Sequence, residues 1–319
     1  MPHIVVAGKL HDAGLALLQS APNVTFGYTE TISEPSYQPY LAHADALILR
    51  TQPLTAASIA LAPQLKIVSR HGVGYDAVDM AALNLRNIPL CIVGDVNTVS
   101  VAEHAMMLIL ACTKQLIRAD RSVRTGPWIW RNGFEQGEVA GKRLLILGFG
   151  RIGRHLARMA AGFRMEIAAY DPYVAAKGWP DGTVAYVADL DRGLAWADVV
   201  SVHMPKGDEP ILGATELAQM KRGAIVINTA RGGIIDEAAL VQALHSGQIA
   251  AAGLDVFDIE PPAPDHPLFA FDQVILTPHT AGLTREAAER MAIASVQNVL
   301  DYFAGHLDPD LIVNPEHSK

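Results

Sequence analysis

The stretch LLILGFGRIG, residues 144–153, decides the fold. An apolar run ends in Gly148, Gly150 and Gly153, and a helix-like segment, Arg151 to Gly162, follows. A second apolar run, Glu166 to Tyr170, ends at Asp171. Strand, glycine turn, helix, strand and acid make one βαβ unit. Gly148 permits the tight turn, Gly150 lets backbone approach a pyrophosphate, and Gly153 lets helix pack on strand. The helix N-terminus offers free N–H groups and a positive dipole end to the anion. Asp171 is placed to accept hydrogen bonds from a ribose. A carboxylate there suits the 2′-hydroxyl of NAD and repels the 2′-phosphate of NADP. Pro172 and Tyr173 follow it, so no adjacent cation receives a phosphate. NAD is the expected cofactor.

Working outward, short apolar runs alternate with helix-length segments, the signature of parallel sheets covered by helices. The first set of expected strands is His3–Ala7, Val24–Tyr28, Ala46–Leu49, Lys66–Ser69 and Pro89–Ile92. Helical patterns intervene at Asp12–Gln19 and Ala56–Leu61. The second set is Arg143–Leu147, Glu166–Tyr170, Val199–His203, Ala224–Asn228, Ala251–Asp255 and Val274–Thr277. One long helical pattern, Val99 to Ser122, separates the sets. Another, Arg285 to Ala304, precedes a polar tail, Asn314–Lys319. Asp76 reads as the N-cap of a helix Ala77–Leu85, and Glu103 as a structural hydrogen-bond partner inside its helix. The expected fold is α/β: two doubly wound parallel-sheet domains, with a Rossmann NAD-binding domain (99–286) inserted in a discontinuous flavodoxin-like substrate domain (1–98 and 287–319).

Composition narrows the function. The 319 residues are 50% hydrophobic, enough for large cores. A net charge of −8 and the lack of a Lys/Arg run argue against nucleic acid. No apolar run is long enough for a membrane span, and the start MPHIVVAGKL is not a signal peptide. Cys91 and Cys112 read as buried thiols of a reducing, cytoplasmic compartment. Twelve histidines are present, but no CxxC, HxH or HExxH spacing, so no metal is expected.

Three polar segments close late strands, on the side where such sheets bind ligands. NTARGG (228–233) supplies Thr229, Ala230 and Arg231, and GLDVFDIEPP (253–262) supplies Asp255 and Glu260. TPHTAG (277–282) supplies His279, Ala281 and Gly282. Reduction of a 2-keto acid needs these group types. A planar guanidinium clamps the carboxylate, and an imidazole donates a proton to the carbonyl oxygen. An acid on the other ring nitrogen fixes the tautomer.

Together with RHGVGYDAVD (70–79), NTVSVAEHAMMLIL (97–110) and GKRLLILGFGRIG (141–153), these motifs make the chain resemble the D-isomer-specific 2-hydroxyacid dehydrogenases. That family contains 3-phosphoglycerate dehydrogenases and hydroxypyruvate and glyoxylate reductases. The resemblance implies that Arg231 binds substrate, Glu260 orients the histidine and His279 is the acid–base catalyst. Arg151, Ile152 and Asp171 match the pyrophosphate and ribose contacts, joined in the cofactor set by Gly148, Gly150, Gly153, Thr229, Ala230, Arg231, His279, Ala281 and Gly282. Asp255 matches an aspartate at the nicotinamide end. His203 and Pro205 match the adenosine side, with a plain strand-end role for His203 as the alternative. Val73 and Gly74 match the loop whose N–H groups hold the substrate carboxylate.

The substrate tail is where the match loosens. Arg50, ending ALILR, sits like an arginine that reaches the phosphate end in phosphoglycerate enzymes, and His71 replaces a small residue. The two together predict a 2-hydroxy acid with an anionic tail, with a solvated Arg50 as the competing reading. A 3-phosphoglycerate dehydrogenase-like activity is expected, glyoxylate/hydroxypyruvate reductase or sulfolactate-type activity being alternatives. An NAD-sensing corepressor-like binding protein is the alternative of another class. Trp128 and Trp130, in the segment GPWIWR (126–131), predict a homodimer in which one of them crosses to the partner. The end shortly after Asn314 leads to an expectation of no serine-type feedback domain.

Overall fold

Apolar runs with little alternation become parallel strands because helices cover both faces of the sheet. The computed structural model describes residues 1–314 except 181 and 183. The tail expectation beyond Asn314 lies outside the described residues. The chain divides into two compact units, Met1–Asn97 with the segment from Leu283 onward, and Thr98–Gly282.

In the first unit, β1 (His3–Ala7), β2 (Thr25–Thr29), β3 (Ala46–Leu49), β4 (Ile67–Arg70) and β5 (Leu90–Cys91) form a parallel sheet in the order β2-β1-β3-β4-β5. That is the flavodoxin-like order, with its switch point between β1 and β3. Successive residues alternate faces. Val5 and Ala7 enter one core, and Ile4 and Val6 the other. The helix Arg285–Ala304 buries Ala292, Val296 and Val299 in the same core as Ile4 and Val6, so the chain returns to the sheet it began with.

The second unit carries β6 (Arg143–Leu147), β7 (Glu166–Tyr170), β8 (Ala185–Tyr186), β9 (Val199–Val202), β10 (Ala224–Asn228), β11 (Ile249–Leu254) and β12 (Val274–Leu276). Their order is β12-β11-β10-β9-β6-β7-β8. Leu145 and Leu147 face one core, Leu144 and Ile146 the other, all fully buried. Each such side chain contributes about 1.5–3 kcal/mol through burial. The order reverses between β6 and β9, so the loops after these strands diverge and leave a crevice at their carboxyl ends.

Three expectations need correction. The single helix over 99–122 is two, Thr98–Thr113 and Leu116–Arg124, because Gln115 takes a left-handed conformation (φ +46°). The break falls where a buried helix passes into one with no buried residue. The helix of the GYDAVD motif starts at Met80, and its cap is Asp79, whose Oδ1 accepts from the Ala82 N–H at 2.9 Å. Asp76 stands exposed in the preceding loop. Glu103 is also exposed, and its neighbour His104 instead contacts Thr277 through Nε2.

Cys91 and Cys112 are buried and free. Burial pushes each thiol up to about 12, which keeps both as inert thiols. Among the described residues no helix is long and apolar enough to cross a membrane, and no group of three or more His, Cys, Asp or Glu could hold a metal ion.

Candidate functional site

The glycine loop after β6 has the shape its sequence demands. Gly148 has φ +98°, and a Cβ there would lie 2.5 Å from the carbonyl oxygen of His203. A Cβ on Gly153 would lie 2.2 Å from the Gly148 carbonyl oxygen, so helix and turn touch. Gly150 differs: a Cβ would meet nothing within 4 Å. Space is left above the N-terminus of the helix Arg151–Gly162, where a diphosphate would lie against N–H groups. Arg151 is exposed beside that opening and Ile152 packs partly against the core.

Asp171 ends β7 and fixes the loop from its far side. One carboxylate oxygen accepts from the Phe149 N–H at 2.8 Å, the other from Val174 N–H at 2.9 Å, capping the helix Pro172–Ala176. Each oxygen keeps a further lone pair for a ribose hydroxyl. His203, at the end of β9, bonds Ser201 Oγ through Nε2 at 2.8 Å, while its buried Nδ1 has no partner. Burial pushes its pKa down to about 3, so the ring is neutral. Pro205 is exposed beyond it. The Thr229 hydroxyl, after β10, is also buried without a partner. Unpartnered polar atoms beside an open glycine turn fit a polar ligand such as a dinucleotide.

Beyond β10, Asn228 folds the chain into a tight loop. Its Oδ1 accepts from the Ala230 N–H at 2.9 Å, and its Nδ2 donates to the Arg231 carbonyl at 2.8 Å. The Arg231 guanidinium donates to the Ala230 carbonyl at 2.7 Å, which fixes the start of its fork. Sequence reading passed over Asn228, although an Asn opening a turn is a readable signal.

Glu260 and His279 are brought together. His279 Nδ1 lies 2.7 Å from Glu260 Oε2, and Glu260 Oε1 accepts from the Phe257 N–H at 3.1 Å. Both oxygens of the acid are thus engaged, and Nε2 is the ring nitrogen left for a substrate. Both side chains are partly solvent-exposed. Asp255 lies in the turn leading to this pair. It has no exposed surface. One oxygen accepts from Thr277 Oγ1 at 2.5 Å and the Thr280 N–H at 2.9 Å, the other from the Ala281 N–H at 2.8 Å. Ala281 is therefore tied through its backbone, and Gly282 closes the unit just beyond.

In the first unit the sheet's switch point carries a second polar cluster. Arg50 follows β3 and His71 follows β4. Arg50 Nε, Gln52 Oε1 and both ring nitrogens of His71 are buried without a hydrogen-bond partner. Burial first, and then the Arg50 and Arg70 charges, push His71 down to about 4. Its ring is accordingly a neutral donor and acceptor, and Arg50 is the cation beside it. Val73 and Gly74 lie in the partly buried loop that follows. Arg231, Glu260 and His279 lie in the other unit.

Trp128 to Gly133 form a short 3₁₀ helix rather than an open Gly/Pro loop. Trp130 is half-buried with the Arg118 guanidinium 5.1 Å from its ring centroid, whereas Trp128 is 64% exposed. Of the two rings expected to reach a partner, Trp128 is the one that remains available.

Comparison with known proteins agrees with this geometry. The model of the family described as "D-isomer specific 2-hydroxyacid dehydrogenase, NAD binding domain" matches residues 106–281. A D-3-phosphoglycerate dehydrogenase of Archaeoglobus fulgidus is 40% identical over 82% of the chain and 50% of its own length. A glyoxylate reductase of Korarchaeum cryptofilum is 36% identical over 98% of the chain and 96% of its own length. The crystal structure of the TT0316 protein from Thermus thermophilus superimposes with a TM-score of 0.88 at 31% identity, covering 98% of this chain and 99% of that one. The chain spans only about half to three-fifths of the length of the curated phosphoglycerate dehydrogenases it matches.

Proposed function

Because the chain belongs to the D-isomer specific 2-hydroxyacid dehydrogenases, we propose that it moves a hydride between NAD and C2 of a small 2-hydroxy or 2-keto acid. The observation that carries this reading is the 2.7 Å contact between His279 and Glu260, on the sheet that bears the glycine cradle. Nicotinamide, when bound, supplies the hydride. The protein's own groups bind, orient and handle the proton. Glu260 accepts the Nδ1 proton of His279 and keeps it there, so the second ring proton, on Nε2, is the one given to the keto oxygen. In the oxidative direction the same nitrogen takes the hydroxyl proton back. Arg231 pairs with the substrate carboxylate, and Val73 and Gly74 belong to the substrate-binding set. His203, Pro205, Thr229, Ala230, Ala281 and Gly282 complete the cofactor-binding set.

A panel of 2-keto acids with NADH tests the reading. Glyoxylate, hydroxypyruvate, phosphohydroxypyruvate and sulfopyruvate should include at least one that drives NADH oxidation; inertness to all would overturn it. The cofactor preference rests on Asp171. Asp171→Ala should weaken NADH binding by about 10-fold, the loss of roughly one charged hydrogen bond, and admit NADPH. Continued rejection of NADPH would count against the carboxylate as the selector.

The buried, unpartnered Arg50, Gln52 and His71 atoms support an anionic substrate tail, as in phosphoglycerate-type enzymes. Arg50→Ala should raise KM for phosphohydroxypyruvate by roughly 10–100-fold, while glyoxylate, which has no tail, is little affected. Equal losses on both substrates would dismiss the subsite. The exposed Trp128, Ile129 and Phe134 support a homodimer formed through this arm, and a single-subunit mass in light scattering would contradict it. A cytoplasmic location accords with the two free, buried thiols.

A further inference from the structure

His279 is held in an unfavourable backbone conformation. Its φ is +50°, the left-handed region that a non-glycine residue enters only when its surroundings enforce it. The enforcing group is Asp255. Its carbonyl oxygen accepts from the His279 N–H at 2.8 Å, and its carboxylate takes the N–H groups of Thr280 and Ala281. The loop 277–281 is thus wound around one enclosed carboxylate.

That carboxylate is in turn oriented from the helix Thr98–Thr113. Thr277 gives its single hydroxyl hydrogen to Asp255 Oδ1, so its oxygen can only accept from His104 Nε2, 2.9 Å away. The polarity of the chain is therefore fixed: His104 Nε2–H to Thr277 Oγ1, and Thr277 O–H to Asp255. His104 Nε2 also approaches Asp255 Oδ1 to 3.7 Å, beside a carboxylate with no access to water.

We propose that His104 is a positioning residue for His279, acting through Thr277 and Asp255 to hold the 277–281 loop in the conformation that presents the ring to Glu260 and substrate. The proposal rests on the reading of His279 as the proton donor. Glu260 fixes the ring from the side-chain end, while the His104–Thr277–Asp255 relay fixes it from the backbone end. An error of about 1 Å in a reacting group costs of the order of 10²-fold in rate, so the relay acts chiefly on turnover.

Five variants test this against a structural role. His104→Leu and Thr277→Val should each lower kcat by roughly 10–100-fold, a larger change than in KM for NADH. His104→Gln, whose amide nitrogen reaches the Nε2 position, and Thr277→Ser, which keeps the hydroxyl, should retain most of the turnover. His104→Asn, too short for that contact, should fall with the leucine variant. Should the apolar variants fail to fold, the glutamine–asparagine pair still decides: a clear excess of the former in kcat supports the relay, and equal rates overturn it. Parental kcat in both apolar variants also overturns it. Loss of turnover in His279→Gln alone would leave the acid–base reading standing while removing this one. Parental turnover in His279→Gln would remove both.

Discussion

His279→Gln is expected to lower kcat by ~10²–10⁴, the contribution of a positioned acid–base group. Glutamine can still hydrogen-bond to a carbonyl but cannot deliver a proton as the alkoxide forms. KM for NADH should change much less than kcat, because the glycine loop and Asp171 lie on other strands of the sheet. Glu260→Gln offers an internal comparison. It keeps an acceptor near Nδ1 but removes the carboxylate, so its loss should be smaller than that of the histidine. An unchanged kcat in His279→Gln would dismiss the assigned role.

Arg231→Lys is expected to lower kcat/KM for the 2-keto acid by about 10²-fold, despite keeping the charge. The guanidinium donates to the Ala230 carbonyl at 2.7 Å, and its planar shape matches a carboxylate. A lysine ammonium offers a point charge with no such plane, and one bidentate contact becomes a single bond. The missing interaction corresponds to about 2–3 kcal/mol of transition-state binding. Steady-state kinetics at saturating NADH measures this directly. A lysine variant with parental kcat/KM would show that charge alone suffices and that bidentate recognition is not used.

Local pattern explains what the sequence revealed. Strand β3 is a fully buried apolar run, β1 and β6 are apolar and buried after their first residue, and β10 is apolar up to Asn228; the glycine turn after β6 has a chemical reason for each glycine. Strand β8 escaped detection because Ala185 and Tyr186 are an exposed edge pair, too short to show a strand pattern. The break at Gln115 is marked by neither glycine nor proline, and arises where the buried helix face ends. Asp76 and Asp79 look alike as caps, and only the position of the Ala82 N–H separates them. His104 was missed for a deeper reason. Its partner Thr277 is 173 residues away, so no periodicity links them. Glu103 drew attention in its place, though adjacent helix positions point in different directions. Asp255 was recognised as a site residue but not as the centre of the loop, because its partners are mostly backbone N–H groups, which a sequence does not display.

The central claim, hydride delivery to C2 of a keto acid beside a proton-donating histidine, is most directly tested by isotope transfer. NADH deuterated at the transferable C4 position is incubated with the keto acid that the panel identifies, and the product is analysed by NMR and chiral chromatography. Deuterium at C2 of a D-configured 2-hydroxy acid is the result predicted, with transfer largely lost in His279→Gln. Product carrying no deuterium at C2, or of L configuration, would contradict the account.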